Sequence, residues 1–158
     1  MAERREAKRD CLRLDLLRSL QQDSDRPNKD YASELGVDQS SLSRLRDRLK
    51  REGYIKQYKA ILDPGRFGLE TLAFIKIALR KTDRKEADAT VQFLLANPLV
   101  QEAHSIEGDF DMFIKVRLHS NKEVLEFIQN TLMTHANIKD TNLMLVLATH
   151  KENADIDI

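Results

Sequence analysis

The chain has 158 residues, 26 basic and 26 acidic, with 41% hydrophobic residues, which is the composition of one or two ordinary globular domains. Its single cysteine, Cys11, excludes an intrachain disulfide and fits a reducing cytoplasm. No apolar run is long enough to span a bilayer, and the charged N-terminus does not read as a signal peptide, so no membrane partner is expected and the location is cytoplasmic.

The charge is unevenly placed. Residues 1–60 hold 15 Lys and Arg against 11 Asp and Glu, and residues 61–158 hold 11 against 15. Within 43–59 there are seven basic residues and only two acidic ones, Asp47 and Glu52. A local positive field of this kind is the electrostatic footprint that a nucleic-acid surface requires.

Taken in order, residues 1–9 are charged and expected to fray. Leu12, Leu14, Leu16, Leu17 and Leu20 predict an amphipathic helix over 10–22. The polar segment 23–28 is a turn, stopped by Pro27, with Asn28 able to cap the next helix. From Asn28 to Arg51 the pattern tightens. Ala32 stands four residues before Gly36, Tyr31, Leu35 and Val37 lie about that glycine, and Leu42 and Leu45 follow. Two helices crossing steeply need a small residue for close approach and a glycine for the positive φ of the turn between them. Helices over 28–35 and 39–52 follow, with Asp38 as N-cap of the second.

On that last helix Leu42, Leu45 and Leu49 share one side, while Ser40, Arg44, Arg48 and Arg51 lie opposite. A basic face flanked by the small hydroxyls Ser40, Ser41 and Ser43 suits the major groove of double-stranded DNA. Arginine binds guanine or phosphate bidentately, and serine lets the helix end approach closely. The same face is also compatible with an ordinary solvated helix surface. Gly53 ends the helix, and Tyr54, Ile55, Tyr58, Ile61 and Leu62 predict an extended wing or linking strand carrying Lys56 and Lys59. Asp63-Pro64-Gly65 is strong turn punctuation and marks the expected boundary between domains 1–62 and 63–158.

The period then changes. Strands are expected over 71–80, 100–107, 110–118 and 138–149, and helices over 86–97 and 122–135, with Gly108-Asp109 as a hairpin turn. The order βαββαβ is that of the ferredoxin-like α+β unit, two helices on one face of a four-stranded antiparallel sheet. The uncovered face, with Phe74, Phe113 and Leu145 or their neighbours, needs burial that a stacked homodimer would supply.

The order of elements, with the segments REGYIKQYKAILDP (51–64), EGDFDMFIKV (107–116) and IKDTNLMLVL (138–147), resembles the Lrp/AsnC regulators over about 10–151. The resemblance implies a winged helix-turn-helix joined to a βαββαβ ligand-sensing domain. It also implies transcriptional regulation, a small-molecule effector (an amino acid), and homodimers with further assembly to octamers. It places the effector on the loop Gly108, Asp109, Phe110 and Asp111. Departures are Arg13 where a second aspartate commonly follows Asp10, a turn at 23–27 one residue longer than usual, and Arg46 at a position often apolar.

Read from residues alone, Asp109 and Asp111 about Phe110 also fit a structural turn in which one aspartate caps backbone amides, or an acid pair able to catalyse or hold a cation. The histidines His104, His119, His135 and His150 lack metal-ligand spacing, and there is no phosphate-binding glycine loop, so no metal, cofactor or catalytic residue is expected. Two alternatives share the architecture. One is a tetrapyrrole-processing enzyme similar to siroheme decarboxylases, against which the basic helix face argues. The other is a metabolite sensor that has lost DNA binding.

Overall fold

The computed structural model describes residues 2–80 and 83–158, with side chains described from Arg9 onward. It divides into two compact units, Met1–Ile61 together with Glu152–Ile158, and Leu62–Lys151.

The first unit holds α1 (Ala2–Gln22), α2 (Asn28–Leu35) and α3 (Gln39–Arg51). The helix α1 starts at Ala2, so the frayed terminus expected over 1–9 is corrected. Most residues of that stretch are good helix formers and extend the helix. Leu16, Leu20, Tyr31, Ala32, Leu42, Leu45 and Leu49 form one buried cluster, with Ile55 packed at its margin. Gly36, at φ 63°, makes the left-handed turn between α2 and α3. Asn28 does not cap α2. Pro27 stands at the cap and Asn28 is the first helical residue.

The wing strand is a second correction. Residues 56–63 carry no regular structure, and the first unit, among its described residues, has no strand to pair with them. The tail 152–158, which the sequence assigns to the second domain, groups with the first unit. Gln21 donates to the Ile156 carbonyl at 3.0 Å and accepts from the Ile156 amide at 2.8 Å, and Arg18 Nε donates to the Ile158 carbonyl at 2.7 Å.

The second unit is the ferredoxin-like α+β fold. Its elements are β1 (Thr71–Leu79), α4 (Arg84–Leu95), β2 (Val100–Ser105), β3 (Met112–Leu118), α5 (Asn121–Asn130) and β4 (Ile138–Leu145). The sheet is antiparallel in the order β2-β3-β1-β4. The pairs Ala73–Val116, Ile75–Ile114 and Ile77–Met112 point to one face, where Leu94, Val124, Phe127 and Leu132 complete the core.

Period-2 alternation sends Phe74, Lys76, Phe113 and Lys115 to the other face, where the Phe74 and Phe113 rings stack at 5.2 Å. There the register corrects one residue. Leu145 pairs with Ala73 and so lies on the core side, and Met144, opposite Phe74, takes the open face. The last predicted strand also ends earlier, at Leu145.

Candidate nucleic-acid interface and effector loop

α3 is fixed first by its cap. Asp38 accepts from the Ser41 amide at 2.8 Å, and its carboxylate also accepts from the Ser40 and Ser41 hydroxyls, both at 2.6 Å. These donors, the Ser40 hydroxyl foremost, hold the Asp38 carboxyl well below the usual carboxylate range. The hydroxyls of Ser40 and Ser41 are therefore directed at Asp38 in the free chain, and would have to turn from it to donate to a phosphate. Ser43 lies half-buried at the flank.

The leucines Leu42, Leu45 and Leu49 are buried, which turns Arg44, Arg48 and Arg51 outward, and all three are exposed. Arg48 approaches Glu52 only at 3.8 Å. Exposed pairs of this kind contribute little and exchange readily for another anion. Arg44, Lys50 and Arg51 have no ion-pair partner among the described residues, nor do Lys56 and Lys59 just beyond. Several arginines elsewhere in the first unit are engaged: Arg13 with Asp10, Arg18 with Asp15, Arg26 with Glu34.

The turn before α2 is tied down by side chains. Ser19 donates to Glu34 at 2.6 Å and Arg26 to the same carboxylate at 2.7 Å, which together hold it below its ordinary range. The Tyr31 hydroxyl donates to the Asp23 carbonyl, and burial pushes that phenol up. Sequence reasoning missed Arg46 as an organiser. Its guanidinium donates to Asn28 Oδ1, and Nε donates to the Tyr58 hydroxyl at 3.4 Å. It lies over the Tyr31 and Tyr58 rings, 5.6 and 5.0 Å from their centroids. The available signal was a polar residue beside Leu45 at an otherwise apolar position.

In the second unit the four loop residues part company. Gly108 has φ 135°, a conformation that favours glycine, and a Cβ at this position would meet nothing within 4 Å. Asp109 is exposed and has no hydrogen-bond or ion-pair partner among the described residues. Phe110 is half-buried with the Lys76 ammonium 5.8 Å from its ring centroid. Asp111 is a brace. Its carboxylate accepts from the Leu79 amide at 2.7 Å, its amide donates to the Ile77 carbonyl at 3.0 Å, and its carbonyl accepts from the Ile106 amide at 2.9 Å. The β1–β3 pairing ends at Ile77–Met112, so Asp111, just before β3, satisfies the Leu79 donor that this ladder leaves over. Of the two aspartates, only Asp109 has its carboxylate free for a ligand. Among the described residues no three His, Cys, Asp or Glu side chains converge as a metal site, and no helix is long and apolar enough to cross a membrane.

Comparison with known proteins follows the same division. Residues 9–56 match the model of a winged helix-turn-helix DNA-binding domain, and residues 72–156 match that of the Lrp/AsnC ligand binding domain. The chain is 30% identical to the leucine-responsive regulatory protein of Escherichia coli over 142 residues, covering 87% of this chain and 84% of that one. It is 28% identical to the HTH-type transcriptional regulator FL11 of Pyrococcus horikoshii, over 90% of this chain and 92% of the other. The fold matches a transcriptional regulator of Neisseria meningitidis solved in complex with L-Met, with a TM-score of 0.88 at 21% identity over 92% and 94% of the two chains. It also matches E. coli AsnC, with a TM-score of 0.83 at 22% identity over 91% and 95%. The chain belongs to the Lrp/AsnC family of transcriptional regulators, with a helix-turn-helix that binds DNA and a second domain that binds a ligand.

Proposed function

We propose that the chain acts in the cytoplasm as a homodimer that reads paired DNA half-sites with α3 and answers to an amino acid bound at the Gly108–Phe110 turn. The working division is a reader over 1–62 and a sensor over 63–158, with the tail returning to the reader. The observation that carries the reading is the outward face of α3, where Arg44 and Arg51 lie exposed and unpaired, among the described residues, above a capped and leucine-anchored helix. Unpaired arginines on a rigid helix lose little by leaving water for phosphate or guanine.

The open sheet face supports the dimer. Phe74, Phe113 and Met144 share it, and a second copy stacked there would bury them. Further assembly to octamers belongs to the same reading. Asp109 supports the amino-acid effector because a free carboxylate beside a flexible glycine can meet an ammonium group. A relative in fold was solved with L-Met. The chain works by binding, without a catalytic step. Footprinting on genomic DNA with and without an amino-acid panel tests the proposal, with sedimentation run in parallel. Protection of paired sites that shifts with one amino acid is the expected result. Absence of protection would leave the sensor-only alternative, and tight binding of siroheme would revive the enzyme.

A further inference from the structure

We propose that the Arg46–Tyr58 contact sets the length of free chain between reader and sensor, and through it the half-site spacing that the dimer accepts. The inference rests on the dimer proposed above.

Arg46 is not part of the outward face. It is half-buried on the side of α3 turned to α2, bonded to Asn28 and set over the Tyr31 ring. Its remaining contacts go to the linking segment, through the Tyr58 ring at 5.0 Å and the Tyr58 hydroxyl at 3.4 Å. The segment is already held upstream. The Tyr54 and Ile55 amides donate to the Leu49 carbonyl at 3.0 and 3.3 Å, and Arg13 lies 5.0 Å from the Tyr54 ring centroid. Chain from Tyr54 to Tyr58 therefore travels with the reader, and the second unit begins at Leu62. Only 59–61 are left as tether.

Without the Arg46–Tyr58 contact, the first firm anchor moves back to Ile55 and the tether becomes 56–61. Its reach then grows from roughly 10 to roughly 20 Å, at about 3.4 Å per extended residue. The dimer has two such tethers, so on DNA the added reach is about 20 Å, roughly six base pairs at 3.4 Å each. Effective concentration of the second reader falls as roughly the −3/2 power of tether length, so doubling the tether costs about threefold in affinity at the best spacing. A short tether makes spacing a selected property; a long one makes it permissive. Cation–π contacts at a surface are individually weak, so the contact can be removed without unfolding the reader. The tail bonds to Gln21 are a second connection, which Gln21→Ala weakens.

The test uses the full chain with half-sites taken from a footprinted genomic fragment, at one salt concentration. Tyr58→Ala, Arg46→Leu and the ring-retaining Tyr58→Phe are compared with wild type, each also in the Gln21→Ala background. Binding is measured to a single half-site and to two half-sites separated in one-base-pair steps. Tyr58→Ala should keep single-site affinity, lose about threefold at the optimal spacing, and tolerate a range wider by about six base pairs. Arg46→Leu, which also loses the Asn28 bond of the α2–α3 seam, should show the same widened range together with weaker single-site binding. Tyr58→Phe should stay near wild type. The salt slope should not change, since no phosphate contact is lost. A slope smaller by about 0.9 for Arg46→Leu would make Arg46 a phosphate ligand and overturn the positioning role. A dimeric variant whose spacing profile overlays wild type would overturn the tether argument alone. Hydrogen exchange at 56–60 that does not rise in Tyr58→Ala would remove the anchor itself. A wild type that sediments as a monomer on DNA would instead remove the dimer reading, and the spacing role with it.

Discussion

The first unit joins its elements through side chains, and the second joins them through main chain. A helix uses its amides and carbonyls internally, so only side chains remain to connect one helix to another. The α1–α2 seam is accordingly Ser19, Glu34, Arg26 and Tyr31, and the α2–α3 seam is Arg46, Asn28 and Tyr31. Strands keep their amides for their neighbours, and the second unit is sewn by three antiparallel pairings with an aliphatic core behind them. Polar side chains thus carry the helix seams in the reader, and in the sensor they cap helices and brace strand ends, as Asp83, Ser120 and Asp111 do.

The largest test of this contrast is in the cores, where both units should behave alike. Leu49→Ala and Ile114→Ala each remove a fully buried side chain. Each should cost about 2–5 kcal/mol. Calorimetry should show the loss in one unit only, the reader for Leu49 and the sensor for Ile114. A loss shared equally by both would mean that the two units unfold as one.

Next comes the brace. Asp111→Ala strands the Leu79 amide beside a partly buried position, which should cost about 1–3 kcal/mol. A neutral result by chemical denaturation would erase the distinction between the two aspartates of the loop.

On the outward face, Arg44→Ala should weaken DNA binding without moving thermal stability. The log–log salt slope should fall by roughly 0.9 if the contact is a phosphate. Wild-type affinity at matched salt would remove the groove assignment.

Asp38 gives a smaller effect with a defined sign. Its folded carboxyl lies below its ordinary range, so its contribution is present above the unfolded pKa and lost as pH falls below about 4 towards the depressed value. Asp38→Asn keeps one side-chain acceptor for the cap but not the charge, so it should be less stable than wild type near pH 7 and flatten that part of the reader's acid unfolding curve. A curve superimposing on wild type would assign the acid sensitivity elsewhere.

At Asp109 the expected stability effect is also small. Asp109→Ala should change stability by less than about 0.5 kcal/mol, as at other exposed sites, while reducing the amino-acid-dependent shift in operator affinity. Calorimetry with the ligand checks it, and an undiminished response would exclude the side chain as a contact.

Much of this was legible in the sequence because local rules dominate it. Ala32 and Gly36 gave the crossing of α2 and α3, Asp38 gave the cap, and the alternation through 71–118 gave the sheet. What was not legible depends on partners distant in sequence or on register. Asp109 and Asp111 are equivalent in composition, and only the spare Leu79 amide at the end of the β1–β3 ladder, 32 residues from Asp111, separates them. Leu145 and Met144 differ by one place, and one place decides the face. The linking strand failed for another reason: its β-forming residues state a preference, but a strand needs a neighbour to become one.

The return of the tail to α1 has a consequence for the order of assembly. Most of the reader's contacts close loops shorter than 20 residues, such as Tyr31 to Asp23 or Arg46 to Asn28. Contacts of that range form early and rapidly. The bonds between Gln21 and Ile156 span 135 residues, with the whole sensor in between. During synthesis the three helices can therefore condense while the sensor is still unmade, and the reader receives its last bonds only after the final strand of the sheet has emerged.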